Sequence, residues 1–414
     1  MNITRTVGVL ALLGALQLPA YAQLPEPRPE IFPIAGVGPD ESEWLPAPER
    51  VVPVLFGSQI TGQKQTTLFR EAGYPDGERD GPARVAVFIR DASGKWVRSG
   101  SIDPPAGVTQ FAARMALFNE LSLFQASQGR TALLYRRSLG KWKLVQKLTP
   151  PSGYQFTDVR LSSGWAFIGA VSAANAGAVY VYQVTSAGTL KGVQTLRSNS
   201  GNSADGFGAH VAVFGERVVV SAGGDSNNRG AAYVFERSGA LFARKQKLIA
   251  MNGAPNQHFA NFVGISEDWI AIGAPDVEAP PSECGPDPFS GAIYTFRRIG
   301  GVWLQQEELL AQDAQDQAHT CIGSLGEDFV ISGKWLVATI IIAREPFQVD
   351  EPLIYVRDAG HYAPTAWAAG TAAPDPAVHL VDNTLFVGEP DTHDCQVFRC
   401  IGDAAIFDLN EAVP

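Results

Sequence analysis

"RGAAYVFERSGALFARKQKL", residues 229–248, returns 61 residues later as "SGAIYTFRRIGGVWLQQEEL", residues 290–309. Each copy holds two runs rich in aromatic and β-branched residues, separated by a Gly-containing turn, which is the pattern of an antiparallel hairpin. The same hairpin recurs as "AGAVYVYQVTSAGTLKGVQTL" (176–196), "RTALLYRRSLGKWKLVQKL" (130–148) and "ARVAVFIRDASGKWVRSGSI" (83–102), and more weakly from Glu351 and from Asp403. With Phe88, Tyr135, Tyr182, Phe235, Phe296, Val356 and Phe407 taken as equivalent, successive units lie 47 to 61 residues apart. Self-similarity at a fixed period is the signature of a repeat architecture.

Two further apolar runs precede each hairpin. One is a buried-type strand such as "WAFIGA" from Trp165, "VVVSAG" from Val218 or "WIAIGAP" from Trp269. The other opens with Phe-Gly or a degenerate form of it, at Phe56, Phe111, Phe207 and Phe259. A unit therefore reads as four short strands, and four-stranded units of this period are propeller blades. Helical repeats are disfavoured because the runs lack a 3.6-residue period. The last strand of each unit carries Lys, Arg or Gln, as in "KWKLVQKL" at 141–148, which suits an outer edge that must resist pairing with another chain.

The expected fold is all-β: a seven-bladed β-propeller of four-stranded antiparallel blades over residues 40–414. The last unit stops at Pro414 without room for a fourth strand, and "DESEWLPAPERVV" at 40–52 contains a Glu-Trp-Leu similar to Val302-Trp303-Leu304. This N-terminal segment is expected to complete the last blade and close the ring, the alternative being a Pro-rich leader running to Val51. Residues 23–39 read as a Pro-rich flexible tail.

Phe-Gly at a strand start, "IGAP" at 272–275 and "GAIYTF" at 291–296 together resemble the FG-GAP repeat of integrin α-subunit propellers and of many exported bacterial proteins. The resemblance is clearest over 205–250 and 257–310 and fades after Thr320. It implies a propeller that presents ligands on one face, often with calcium in the loop between the first two strands. The loops at that position here, "GE" at 215–216 and "SED" at 266–268, are too short to form a calcium loop.

Composition agrees with many short strands and turns. Of 414 residues 42 are Gly and 28 Pro, and only 18% are charged. A net charge of −10 argues against nucleic acid or an anionic membrane as partner. Residues 1–22 carry one charge, Arg5, then an apolar stretch from Val7 to Leu18 and the small-residue site Ala20-Tyr21-Ala22. They read as a secretory signal cleaved after Ala22, so the protein is expected in the periplasm or outside the cell, without a transmembrane segment and as a monomer. Export makes disulfides the expected state of Cys284, Cys321, Cys395 and Cys400. Three pairings are formally open; loops placed on one face favour Cys284 with Cys321, leaving Cys395 with Cys400.

Chemistry is expected in the long loops on the face where second strands end. The loop 274–290 carries Asp276, Glu278, Glu283 and Asp287, and the neighbouring 311–321 carries Asp313, Asp316 and His319. These acids could take a cation or basic ligand, act as paired carboxylates, or simply be solvated. "GGDSNNRG" at 223–230 is a loose calcium-like loop with Asp225 and Asn227 as the metal candidates, and Ca2+ is the one cofactor the sequence suggests. No hydrolase elbow, zinc-protease or phosphate-loop signature is present. The expected function is a non-catalytic binding or adhesion scaffold for an extracellular or cell-envelope protein or glycan. The alternative is a secreted polysaccharide hydrolase or lyase using the acidic loops.

Overall fold

The computed structural model describes residues 32–33, 53–73, 83–200, 202–278, 291–310, 321–323, 325–344, 347–367, 377–388 and 404–412. Five four-stranded antiparallel sheets follow one another along the chain, within residues 53–102, 114–148, 155–196, 211–248 and 263–310. In each, the strands pair in chain order, so every blade is a meander. A sixth blade is formed by Phe329–Ser332, Trp335–Arg344, Phe347–Asp358 and His361–Trp367. Cys321–Gly323 also pairs with its second strand, and Phe32–Pro33, within the segment read as a tail, runs parallel along its outer strand.

Six blades carry the full four strands, not the seven expected. The last sheet, Ala377–Val381, Thr384–Gly388 and Ala404–Asp408, has three. After Asp408 the backbone turns into the short helix Leu409–Ala412 instead of a fourth strand. Residues 40–52, read as supplying that strand, lie outside the described residues, as does the signal segment 1–22. The ring still closes, because the inner strand Ala377–Val381 packs beside the first inner strand, Pro53–Gln63.

The burial pattern follows from strand position. The second strand of blade five, Trp269–Ala274, is buried at every residue because a blade covers each of its faces. The outer strand of blade two, Lys141–Leu148, buries none of its residues fully. Cores form between blades: Ala232, Val234 and Leu248 of blade four pack against Ile270, Ile272 and Tyr294 of blade five.

The repeat's Phe-Gly now has a physical meaning. Phe111, Phe156, Phe207, Phe259 and Leu325 occupy the same place at the entry to successive inner strands and are at most 1% exposed. Each phenyl ring from Phe207 and Phe259 stacks edge-on against the aromatics of its own blade's third strand, as Phe259 does against Tyr294 at 5.3 Å. Their backbones meet a glycine of the preceding blade: Gly230 bridges Phe259, and Gly291 bridges Leu325. A Cβ on Gly230 would lie 1.8 Å from the Phe259 carbonyl oxygen, so only glycine permits the approach.

A second stitch joins the outer strands. In all six full blades the pairing of third and fourth strands slips once, at Val87/Phe88, Leu134/Tyr135, Val181/Tyr182, Val234/Phe235, Thr295/Phe296 and Ile354/Tyr355. The sixth equivalent is thus Tyr355, one residue before the Val356 expected from spacing, since Tyr355 pairs with Leu336 as Phe296 pairs with Ile270. Beside this bulge, Gln146, Gln194 and Gln246 each clamp the next blade. Gln246 Nε2 donates to the Trp303 carbonyl at 2.7 Å, and its Oε1 accepts from the Trp303 N–H at 2.9 Å. Gln146 does the same for Leu190, and Gln194 for Phe242.

Candidate functional site at the propeller axis

Inner strands of a propeller surround its axis, and register decides which of their side chains share a level. Arg114, Asp158 and Ala377 pair with Gln125, Gly169 and Gly388. His210, Phe262 and Asp328 accept, through their backbone carbonyls, from Ser221, Gly273 and Thr339 at the same strand position. These six residues therefore form one level at the start of the inner strands. Second strands end at this level, so it lies on the face where Trp269–Ala274 ends.

The level is electrically mixed and tightly wired. Asp158 is fully buried; its Oδ2 accepts from the Val211 N–H of the next blade at 2.8 Å, while its Oδ1 accepts from Val159 N–H and Arg160 Nη1, each at 2.8 Å. Its charge is thus spent on holding blade three to blade four. The His210 ring lies 4.8 Å from that of Phe262, and its buried Nδ1 has no partner among the described residues. Burial, with the guanidiniums of Arg114 and Arg160 opposing protonation and Asp158 favouring it, brings His210 down to about 4. Asp328 moves the other way: burial raises its carboxyl to about 6 despite Arg114 and Arg160. One turn of the pleat deeper, His379 sits with Arg160 among small residues such as Ala116, Ala212 and Gly264.

This arrangement holds a carboxyl group able to exchange a proton near neutral pH, within electrostatic reach of Arg114, whose positive charge Asp158 does not neutralise by contact. It suits an anionic or hydrogen-bonding group entering along the axis.

The residues expected from the sequence lie elsewhere. Asp276 is paired with His258 through Oδ2 and Nδ1, and Glu278 is exposed. Glu283, Asp287, Asp313 and Asp316 are outside the described residues, as are Cys284, Cys395, Cys400 and the side chain of Cys321. Asp225 is buried, and its oxygens accept from Lys247 Nζ at 2.8 Å and from the Ser226 and Tyr233 hydroxyls at 2.6 Å. Asn227 is exposed in a left-handed turn with φ 63°. Among the described residues no three His, Cys, Asp or Glu side chains group as a metal site would require.

A sequence signal for the axial residues did exist. They stand three residues after the repeat's Phe or Leu, as Arg114 after Phe111, His210 after Phe207 and Asp328 after Leu325; for Asp158 after Phe156 the step is two. A charged or polar residue at that point of an otherwise apolar strand is the mark.

The FG-GAP repeat family model matches residues 191–235 and 242–296. No curated protein sequence matches the chain. Among solved structures, a candidate 6-phosphogluconolactonase from Bacteroides uniformis aligns with TM-score 0.51 and 12% identity, over 79% of this chain and 90% of that one. A second candidate 6-phosphogluconolactonase, from Bacteroides fragilis, aligns with TM-score 0.46 and 11% identity over 75% and 82%. The periplasmic gluconolactonase of Pseudomonas aeruginosa aligns with TM-score 0.44 and 14% identity over 73% and 82%. At these identities the first likeness bears on the fold alone. Among the described residues no helix is long and apolar enough to cross a membrane. The chain thus carries FG-GAP repeats, matched from the outer strand of blade three to the third strand of blade five, within a β-propeller of four-stranded meanders.

Proposed function

We propose that this propeller is an exported binding scaffold that receives a cell-envelope or extracellular protein or glycan at the axial mouth of its loop-bearing face. One observation carries the reading: the position three residues after the repeat's Phe or Leu holds Arg114, His210 and Asp328 in three different blades, converging where an ordinary core strand would place apolar side chains. Charge collected at the axis of a rigid ring, at the mouth of its loops, is an arrangement for recognition.

Export rests on the 1–22 segment, and an N-terminus beginning at Gln23 in the protein recovered from the periplasm or medium is the expected result by mass spectrometry. Binding is tested by passing envelope proteins and glycans over the immobilised propeller. Arg114→Ala combined with Asp328→Asn is expected to weaken the captured partner at least tenfold while leaving the fold intact by circular dichroism. Equal binding by the double variant overturns the axial assignment.

A second reading, hydrolysis or elimination on a polysaccharide, draws support from Asp328, whose carboxyl is raised to about 6 despite the charge of Arg114. Turnover of a polysaccharide panel that vanishes in Asp328→Asn would favour it over binding alone. Absence of turnover by the wild type sinks it.

A further inference from the structure

Away from the axis, an open groove of about 720 Å³ runs between the connection from blade three to blade four and the outer strand of blade four. Ser198, Asn199, Ser200, Asn202 and Asp205 form one wall, and Arg244 to Lys247 the other. Its chemistry is uneven in a way that selects a ligand.

Two buried acids face the groove in opposite states. Asp225 is saturated by Lys247, Ser226 and Tyr233. Asp205, 3% exposed, receives the Asn202 amide on Oδ1 at 2.9 Å, but its buried Oδ2 has no hydrogen-bond partner among the described residues. A buried acceptor without a donor is costly, and a ligand or water that supplies one recovers that cost.

The cations are unequally engaged. Lys247 is committed to Asp225, and Arg244 donates to the Ser198 carbonyl at 2.8 Å with its guanidinium 5.9 Å above the Tyr233 ring. Lys245 is the extra residue of the blade-four bulge, which turns it out of the strand pairing. It is exposed and forms no ion pair among the described residues. The groove therefore offers an acceptor at Asp205 and donors at Arg244 and Lys245, between walls of hydroxyl and amide groups.

A simple anion has no hydrogen to give Asp205 and is repelled by it. A metal cation is repelled by the basic wall. A molecule bearing hydroxyl donors and an acid group together satisfies both, and an open groove accommodates a chain of such units. We propose that this groove binds an anionic oligosaccharide, its hydroxyls on Asp205 and the serine wall and its acid group on Arg244 and Lys245. The site is separate from the axial mouth and does not depend on the function proposed for it. The chain's net charge of −10 repels polyanions at long range, so such binding has to be made locally.

The test is calorimetric titration of the full chain at physiological salt with polygalacturonate, dextran sulfate and uncharged dextran. At least one of the two anionic polymers is expected to bind and dextran is not; which one binds identifies the acid group as carboxylate or sulfate. Lys245→Glu is expected to weaken binding tenfold or more, and Asp205→Ala several-fold. The same charge reversal on the outer strand of blade two, Lys143→Glu, is expected to leave it unchanged. Lys245 has no described ion pair to lose, so its variant should fold, as thermal melting will show. Failure of both anionic polymers to bind, equal binding of dextran, or equal weakening by Lys143→Glu and Lys245→Glu overturns the proposal.

Discussion

His379 and Gly62, 317 residues apart in the chain, meet where the ring closes: the Gly62 N–H donates to His379 Nε2 at 2.8 Å. In that bond Nε2 is the acceptor, which His379 provides when neutral with its proton on Nδ1; the same nitrogen lies 3.2 Å from the Gly62 carbonyl oxygen. This bond ties the inner strand of the last sheet directly to that of the first. Replacing His379 by Leu leaves the Gly62 N–H unpaired in a half-buried position. A loss of about 1–3 kcal/mol is expected from chemical denaturation, with the last sheet exchanging its amides sooner than the rest.

The same contact sets a pH dependence. Burial, and the charge of Arg160, lower His379 to about 4, and His210 is likewise lowered to about 4. Above about 6.5 both histidines are neutral whether the chain is folded or not. As pH falls from 6.5 to 4 the unfolded chain takes up protons that the native one refuses, so stability falls over that window. Thermal melts between pH 7 and pH 4 check this, and His210→Phe combined with His379→Leu should flatten the curve while lowering its plateau.

Asp328 acts in the opposite sense. Its native carboxyl is raised to about 6, so between pH 6 and the ordinary range near 4 the native state binds a proton that the unfolded state does not. This adds stability on acidification and partly masks the histidines. Asp328→Asn removes the masking. Its melts are expected to match or exceed wild type at pH 7, where the half-buried charge is gone, and to fall more steeply from pH 6 to pH 4; parallel curves would contradict the assignment.

What could be read from the sequence divides along a physical line. Strand order, the hairpin repeat and the buried second strands were legible because period-two patterning and turn residues are local. The phase of the sixth unit was not, because Tyr355 and Val356 are both good strand formers and only cross-strand pairing with Leu336 chooses between them. The blade count was not: the fourth strand of the last unit was expected from residues 40–52, which lie outside the described residues, and the last sheet has three strands. The axial site escaped because Arg114, Asp158, His210 and Asp328 are scattered over more than two hundred residues and meet only through ring geometry. The acidic loops drew attention as visible local clusters, yet the one acid of theirs with a described partner, Asp276, is simply paired with His258.

Gly230 tests the inner stitch. Its φ of 85° is left-handed, and a Cβ would fall 1.8 Å from the Phe259 carbonyl oxygen. Gly230→Ala must shift the backbone of one blade against the next, and a loss of about 3 kcal/mol or more is expected. Gly239, at φ 65° but with nothing within 4 Å of where a Cβ would stand, is the control: Gly239→Ala bears only the conformational cost, about 1 kcal/mol. Denaturation midpoints that fail to separate the two variants would show that the close approach relaxes cheaply.

Glu307 tests the outer stitch, and here the natural residue is the weaker choice. It occupies the place of Gln146, Gln194 and Gln246 beside the bulge, and its Oε2 accepts from the Tyr362 N–H at 2.9 Å as the glutamines do from their targets. A carboxylate has no N–H to return to the Tyr362 carbonyl; its other oxygen meets instead the exposed ring of His361 at 3.0 Å. Glu307→Gln supplies the missing donor and removes an acid from the interface. A gain of about 0.5–1.5 kcal/mol is expected, the net worth of one added hydrogen bond. Gln246→Leu, which breaks both bonds of a complete clamp, is expected to cost about 2 kcal/mol by the same reckoning. If Glu307→Gln destabilises instead, the contact with His361 contributes more than the second amide bond, and the glutamines of blades two to four serve a purpose other than clamping.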